Sequence, residues 1–113
     1  METQTRRKER ISAAWARSRE LLPELSEPYD ELSRAAYAPG ALDTKTKRLM
    51  AVAAAVVRGC RACMLYQTDH ALALGAEPAE VLEACAVAVS LGGTMAAGET
   101  ANVVEYLAEK GLV

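Results

Sequence analysis

Aromatic side chains are nearly absent from this chain of 113 residues, which has no Phe, one Trp and four Tyr. The apolar fraction is nevertheless 51%, and it comes mainly from Ala, Val and Leu. Ala and Leu are among the residues with the highest helix propensity. A chain of this length corresponds to one domain and can bury roughly two-thirds of its unfolded surface. We therefore expect a single domain over residues 1–113, with a core of closely packed helices.

Signals for β-strands are also missing, because no alternation of apolar and polar residues persists and no hairpin turn pattern occurs. Helical spacing and helix-stop residues recur instead. Pro28 is predicted to start the second helix, Asp43 or Thr44 to cap the third, and the glycines at 92–93 to separate the fifth from the sixth. The result is an all-α compact bundle of about six helices, at residues 7–22, 28–39, 45–59, 60–74, 78–91 and 94–110.

Large apolar side chains are few in the last two predicted helices, which are rich in Ala. Met50, Met64 and Met95 are expected in the core, and Gly98 is expected to allow a close helix approach. Even so, a single chain has few large apolar side chains with which to fill its core. We therefore predict a homo-oligomer, a trimer or larger, held by contacts between small residues.

The chain lacks three signals of location or partner. No apolar run reaches the ~18 residues that a membrane-spanning helix needs. The start, METQTRRKERIS, has no apolar segment after its charges, unlike a secretory signal. The isoelectric point is about 5.4, and no basic stripe is interleaved with aromatic residues. We expect a cytoplasmic protein that binds neither membrane nor nucleic acid.

Cysteine and histidine are scarce, yet two of the three cysteines and the single histidine lie in one segment, GCRACMLYQTDH at 59–70. In the cytoplasm a CxxC pair is typical of catalytic or metal sites rather than of structural bridges. Zinc needs four ligands, and Cys60, Cys63 and His70 supply three. The fourth would have to be Cys85, which is expected to be a buried core residue. We predict no metal or other cofactor, and an inert or structural pair remains the alternative.

The position of the pair at a predicted helix start favours the thiolate form. A helix N-terminus carries about half a positive charge, which lowers the pKa of a thiol placed there. Arg58 and Arg61 flank Cys60, and Arg48 lies one helix earlier. Three guanidinium groups favour the thiolate in the same way. The pair is therefore predicted to carry out thiol–disulfide exchange.

Further candidate residues follow from helical geometry. At ~100° per residue, Cys63, Gln67 and His70 lie on one helix face, with Gln67 about 6 Å and His70 about 10.5 Å along the axis from Cys63. Gln67 can contact the thiolate or a bound water, whereas His70 needs an intermediary. Tyr66 is a candidate proton donor. A lone histidine such as His70 is more often a satisfied or surface residue than a catalytic one, and only its position on the face of Cys63 favours a functional role.

The segment LDTKTKRLMAVAAAVVRGCRACMLYQTDHALALGAEPAEVLEACAVAVSLGG resembles the carboxymuconolactone decarboxylase family, and within it the AhpD-like alkylhydroperoxidase branch. The resemblance covers residues 41–107 and depends on LDTKTK, the CxxC helix, ALALGAEPAEVLEA and the following GG. It implies an all-α homo-oligomer, often a trimer or hexamer. The branch reduces hydroperoxides or a partner disulfide and is recycled by a thiol reductant protein. It further implies that Cys63 attacks the peroxide and that Cys60 resolves the product.

The chain departs from that branch at two positions. The branch has a Glu twelve residues before the first cysteine and a His four residues after the second, and here these are Arg48 and Gln67. One interpretation is that Arg48 stabilises the thiolate directly, with His70 as a displaced proton donor. The other is that the relay has been lost and only slow dithiol exchange remains. A lactone decarboxylase activity and a non-catalytic oligomeric module with vestigial cysteines are the alternative functions.

Overall fold

The computed structural model describes all 113 residues and contains five α-helices and no strand. The helices are α1 (Gln4–Leu21), α2 (Pro23–Tyr37), α3 (Thr44–Arg58), α4 (Arg61–Ala73) and α5 (Pro78–Glu109). The last helix bends at Gly93, whose backbone has φ 63° and ψ −144°. Glycine adopts such angles because it has no Cβ. The all-α prediction is confirmed, and the predicted fifth and sixth helices are the two arms of α5.

Local sequence signals determine most of the helix ends. The Asp43 side chain accepts the Thr46 N–H at 2.7 Å and caps α3. Gly59 ends that helix in the left-handed conformation, at φ 76°. The predicted start of the second helix is wrong, because Pro23 takes the first-turn position and Pro28 lies inside α2. Since Pro28 has no N–H to donate, α2 forms with one hydrogen bond fewer.

The core forms where α3 packs against α4 and α5. Met64 and Cys85 are fully buried, as expected. Met50 and Met95 are 54% and 48% exposed, so the prediction that they lie in the core is wrong. The rest of the chain therefore covers only about half of each side chain. The fully buried large side chains are Val52, Val56, Met64, Leu65, Thr68, Val81, Cys85, Val103 and Leu107.

Helix α1 is attached to the core mainly by polar contacts. Gln4 is its only buried residue, and it donates from its backbone N–H to Glu109 and from its side-chain amide to Asn102, both at 2.9 Å. Farther along the helix, Lys8 forms an ion pair with Asp69 of α4 at 2.9 Å. Both partners of Gln4 belong to the second arm of α5. Hydrogen bonds and ion pairs therefore hold α1 across α4 and α5.

Helix α5 is apolar for most of its length. By length and composition alone it could cross a membrane, since an 18-residue window has a mean hydropathy of 1.5. The expectation that no stretch reaches this length is wrong by that measure, because Val, Leu and Ala residues carry the hydropathy. The bend at Gly93 and the packing on α3 make α5 a helix of a globular fold. Gly98 faces open space, so it does not provide the predicted close approach within the chain.

Candidate functional site

The cysteine pair lies at the junction of α3 and α4. The left-handed Gly59 turns the chain, and Cys60 then serves as the N-cap of α4, its sulfur accepting the Cys63 N–H at 3.3 Å. The two cysteines form a disulfide, with their Cα atoms 5.2 Å apart. Cys60 is partly buried against the hydrophobic core, whereas Cys63 is exposed. The structure therefore represents the oxidised pair, with the second sulfur as the accessible one.

Cys63 borders a pocket of about 430 Å³. Four helices line it: α1 and α2 contribute most of its apolar and aromatic side chains, and α3 and α4 contribute most of its polar ones. The first turns of α4 thus face a space that a small organic molecule can enter. The lining residues are Ile11, Trp15, Tyr29, Ser33, Arg48, Ala62, Cys63, Tyr66, Gln67 and His70.

Arg48 is the only Lys or Arg side chain that lines this pocket. Its Nη1 donates to Oε1 of Gln67 at 3.0 Å, and its guanidinium stacks on the ring of Tyr37 at 3.6 Å. Gln67 is neutral, so this hydrogen bond orients the guanidinium and leaves its charge uncompensated. Arg48 belongs to none of the ion pairs of the chain. The positive charge is therefore available to a thiolate or to an anionic ligand.

Two further groups in the pocket wall can carry protons. Tyr66 shares a short hydrogen bond between its hydroxyl and that of Ser12 in α1, and Lys8 lies 4.6 Å from its ring centre. The pKa of His70 is lowered, first by desolvation and then by the positive charge of Arg48. At neutral pH the imidazole is therefore neutral and can accept or donate a proton.

Five of the six predicted site residues line the same pocket: Arg48, Cys63, Tyr66, Gln67 and His70. Cys60 lies behind Cys63 on the core side. The expectation of three guanidinium groups at the cysteines is wrong for two of them. Arg61 is paired with Glu99 at 3.4 Å, and Arg58 is exposed and outside the pocket. The direction of each side chain is set by its position on its own helix, so a residue next to Cys60 in sequence need not lie next to its sulfur.

The aromatic wall of the pocket was not predicted from the sequence. The rings of Trp15 and Tyr29 meet edge to face, with centres 5.4 Å apart. No motif marks these residues, and they lie more than 30 residues before the cysteines. The one signal was that Trp15 is the only Trp in a chain poor in aromatic residues.

The side chains that could bind a metal ion are not brought together in the structure. No group of three or more His, Cys, Asp or Glu side chains is arranged to hold a metal ion. Cys85 is fully buried in the core, where desolvation raises the pKa of its thiol. It therefore cannot join the cysteine pair as a ligand in this fold.

These features define an all-helical protein in which an exposed cysteine of a disulfide pair borders a pocket. The sequence model of the carboxymuconolactone decarboxylase family matches residues 23–106, and the chain belongs to that family. It is 31% identical to an uncharacterized protein of Cupriavidus necator over 84 residues, and these residues make up 74% of each of the two chains. The family match spans α2 to α5 and so includes every helix of the core.

Solved structures are similar to the whole fold. An apo carboxymuconolactone decarboxylase family protein from Legionella pneumophila has a TM-score of 0.87 and 33% identity, over 94% of this chain and 95% of that one. A Thermotoga maritima protein has a TM-score of 0.80 and 29% identity, over 92% of this chain and 94% of that one. Another structure of that Thermotoga protein, described as having a possible part in the antioxidative response, has a TM-score of 0.70 and 32% identity, covering 76% and 89%.

Proposed function

We propose that this protein is a thiol oxidoreductase that reduces a hydroperoxide, or the disulfide of a partner, through Cys60 and Cys63. The observation that carries the proposal is that Cys63 borders a pocket whose only Lys or Arg side chain is Arg48. An inert structural disulfide needs no such pocket. The antioxidative part suggested for the Thermotoga relative supports the same class of reaction.

The roles of the two cysteines follow from their accessibility. In the reduced protein, the Cys63 thiolate attacks the outer oxygen of the hydroperoxide, so that an S–O bond forms and the O–O bond breaks. The alkoxide leaves and takes a proton to become an alcohol. The thiolate of Cys60 then attacks the sulfur of the sulfenic acid, a disulfide forms, and the displaced hydroxide leaves as water. A thiol reductant protein must return the two electrons by thiol–disulfide exchange.

The pocket wall supplies the groups that this reaction needs. The N-terminus of α4 and the charge of Arg48 both favour the thiolate of Cys63 over the thiol. The alkoxide needs a proton, and the hydroxyl of Tyr66 or the neutral imidazole of His70 can provide it. Gln67 keeps Arg48 in place, which makes it a positioning residue rather than a proton carrier.

Titration of free thiols tests the proposal. When the reduced protein is mixed with a hydroperoxide, two of its three thiols should be lost rapidly, and that of Cys85 should remain because it is fully buried. Cys63→Ser should abolish peroxide consumption. Cys60→Ser should allow one attack and leave a sulfenic acid at Cys63, detectable with a sulfenic-acid-specific reagent.

A matched control and two contrary outcomes complete the experiment. Cys85→Ala should change neither the rate nor the loss of two thiols. If Cys60→Ser rather than Cys63→Ser blocks the first oxidation, the two roles are reversed. No thiol loss with hydroperoxides or with disulfides would favour a non-catalytic oligomeric module.

A further inference from the structure

A second cavity, of about 520 Å³, meets the cysteine pocket at Arg48. Ser33 and Arg48 line both cavities, so these two side chains form the boundary between them. The residue types that line the two spaces differ. Most residues at the Cys63 pocket are apolar or aromatic, whereas five of the seven at the second cavity are polar: Asp30, Ser33, Arg34, Thr44 and Arg48, with Tyr37 and Ala38.

The net charge at this boundary is positive. Arg48 and Arg34 belong to no ion pair, and the one carboxylate of the second cavity, Asp30, is already bound by Arg19 at 3.0 Å. The hydrogen bond from Arg48 to Gln67 uses only one of the five N–H donors of the guanidinium. Apart from the Tyr37 ring on which it stacks, the partly buried guanidinium of Arg48 has no partner for its charge, so it favours the binding of an anion. The remaining donors suit a carboxylate, which a guanidinium can bind through two parallel hydrogen bonds.

The other side of the pocket suits an apolar group. Ile11 and the edge-to-face pair of Trp15 and Tyr29 form an apolar wall on the side of α1 and α2. A ligand that places a carboxylate at Arg48 can therefore extend its apolar part along this wall and beside Cys63. The pocket thus provides an anion-binding group and an apolar surface at the same reactive sulfur.

We propose that the preferred substrate is the hydroperoxide of an apolar carboxylic acid, held by its carboxylate at Arg48 and by its carbon chain against Trp15 and Tyr29. This inference rests on the proposed function, and the step at sulfur is the one given above. The O–O bond of the bound acid breaks, Cys63 gains the outer oxygen, and a hydroxy acid leaves. The thiol reductant protein then returns two electrons to the disulfide.

Binding to the oxidised protein tests the anion site without any contribution from thiolate chemistry. Trp15 is the only Trp, so its fluorescence reports on the pocket. Octanoate should bind saturably and about tenfold more tightly than octanamide, the effect of one well-placed charge-assisted hydrogen bond. Arg48→Gln should abolish this preference, Arg48→Lys should retain part of it, and the exposed control Arg17→Gln should leave it unchanged. Equal binding of the two ligands, or a preference that survives Arg48→Gln, would overturn the inference.

Steady-state kinetics with two hydroperoxides distinguishes the carboxylate preference from the proposed redox function. With a dithiol reductant, a fatty-acid hydroperoxide should have a KM about tenfold lower than its methyl ester, in line with the binding preference. If both compounds are reduced with the same KM, the carboxylate preference is refuted and the redox function stands. If octanoate binds through Arg48 but neither hydroperoxides nor disulfides oxidise the cysteines, the hydroperoxide substrate and the redox function both fail, and only the anion site stands.

Discussion

Arg48 is one of the two residues at which this chain departs from the AhpD-like branch that it resembles. A carboxylate there would be one member of a proton relay, whereas a guanidinium cannot remove a proton at neutral pH. The stacking on Tyr37 and the hydrogen bond to Gln67 fix its orientation beside the pocket. Its positive charge also helps to keep His70 neutral. Arg48 can therefore act on Cys63 through its electric field rather than as a base.

Replacing Arg48 by Glu should slow the alkylation of Cys63 at neutral pH. A carboxylate beside the sulfur disfavours the thiolate, and each pH unit by which the alkylation midpoint rises corresponds to ~1.4 kcal/mol. The measurement is the rate of iodoacetamide reaction against pH in the reduced protein. Adding Gln67→His to Arg48→Glu should recover peroxidase activity, because it restores both relay residues of the branch.

Two neutral variants check the cause of that effect. Arg48→Ala should shift the same pH profile upward by less than Arg48→Glu, whereas Arg17→Ala on the exposed side of α1 should not shift it. An unchanged profile in Arg48→Ala would show that the charge at this position does not act on the cysteine. Activation would then come from the N-terminus of α4 alone.

At the scale of single elements, α1 contributes to the pocket although only one of its residues is buried. Its one buried residue is Gln4, and its polar contacts with α4 are those with Tyr66 and the ion pair with Asp69. Asp69 also accepts the hydroxyl of Tyr106 at 2.7 Å and pairs with Lys110 at 3.3 Å. Ile11 and Trp15 lie in the same helix, so we expect the state of Asp69 to affect the pocket wall.

The charge of Asp69 should make folding sensitive to acid. Burial opposes its ionisation, but hydrogen bonds from Lys8 and Tyr106 and the charges of Lys8 and Lys110 outweigh this effect and lower its pKa. A carboxyl group with a lowered folded-state pKa stabilises the protein above its unfolded-state pKa of about 3.9, and this contribution is lost as the pH falls through the folded-state value. Urea unfolding followed from pH 6 to pH 2 should show this loss.

Asp69→Asn should remove the part of that acid dependence that Asp69 contributes, and so make the loss of stability between pH 6 and pH 2 smaller. At pH 7 it should lower the free energy of unfolding by about 1.5–3 kcal/mol, the range for hydrogen bonds to a charged group. The control Glu20→Gln breaks an exposed ion pair with Arg17 and should change stability by less than about 1 kcal/mol. If Asp69→Asn retains the full acid-induced loss, Asp69 is not its source.

For the whole molecule, α5 presents apolar side chains that no other helix of the same chain fully covers. Val87 and Leu91, one helical turn apart, are 59% and 82% exposed. Contiguous apolar surface of this kind is typical of sites that another protein surface covers. A second copy of the same chain is the partner that the small, Ala-rich helix predicts.

The chain should therefore elute as a trimer or larger assembly relative to its mass of 12.1 kDa. Leu91→Glu should shift the elution toward smaller species, because it places a charge on the apolar face of α5. Leu112→Glu is the control, since this residue lies beyond the end of α5. Multi-angle light scattering gives the mass directly. A monomeric wild type that unfolds in a cooperative thermal transition would contradict the prediction.

Much of the fold and part of the site could be predicted from the sequence, because the relevant signals are local. The Asp43 cap, the left-handed Gly59 and the break at Gly93 determine where the chain enters and leaves helices. Helical periodicity places Gln67 and His70 on the face of Cys63, and all three line the pocket. The wrong start predicted at Pro28 also comes from a local signal. A proline is compatible with the first turn of a helix and, at a cost in stability, with its interior, so the residue alone does not distinguish the two.

Only the tertiary structure decided what surrounds that face. Gln4 and Glu109 meet across 105 residues of sequence, and through such contacts Trp15 reaches the pocket. Arg61, adjacent to Cys60 in sequence, is instead paired with Glu99. Helical periodicity tells which way a side chain points from its own helix, but its partner depends on which helices pack together. That choice is made by the burial of apolar surface over the whole chain, and no local spacing encodes it.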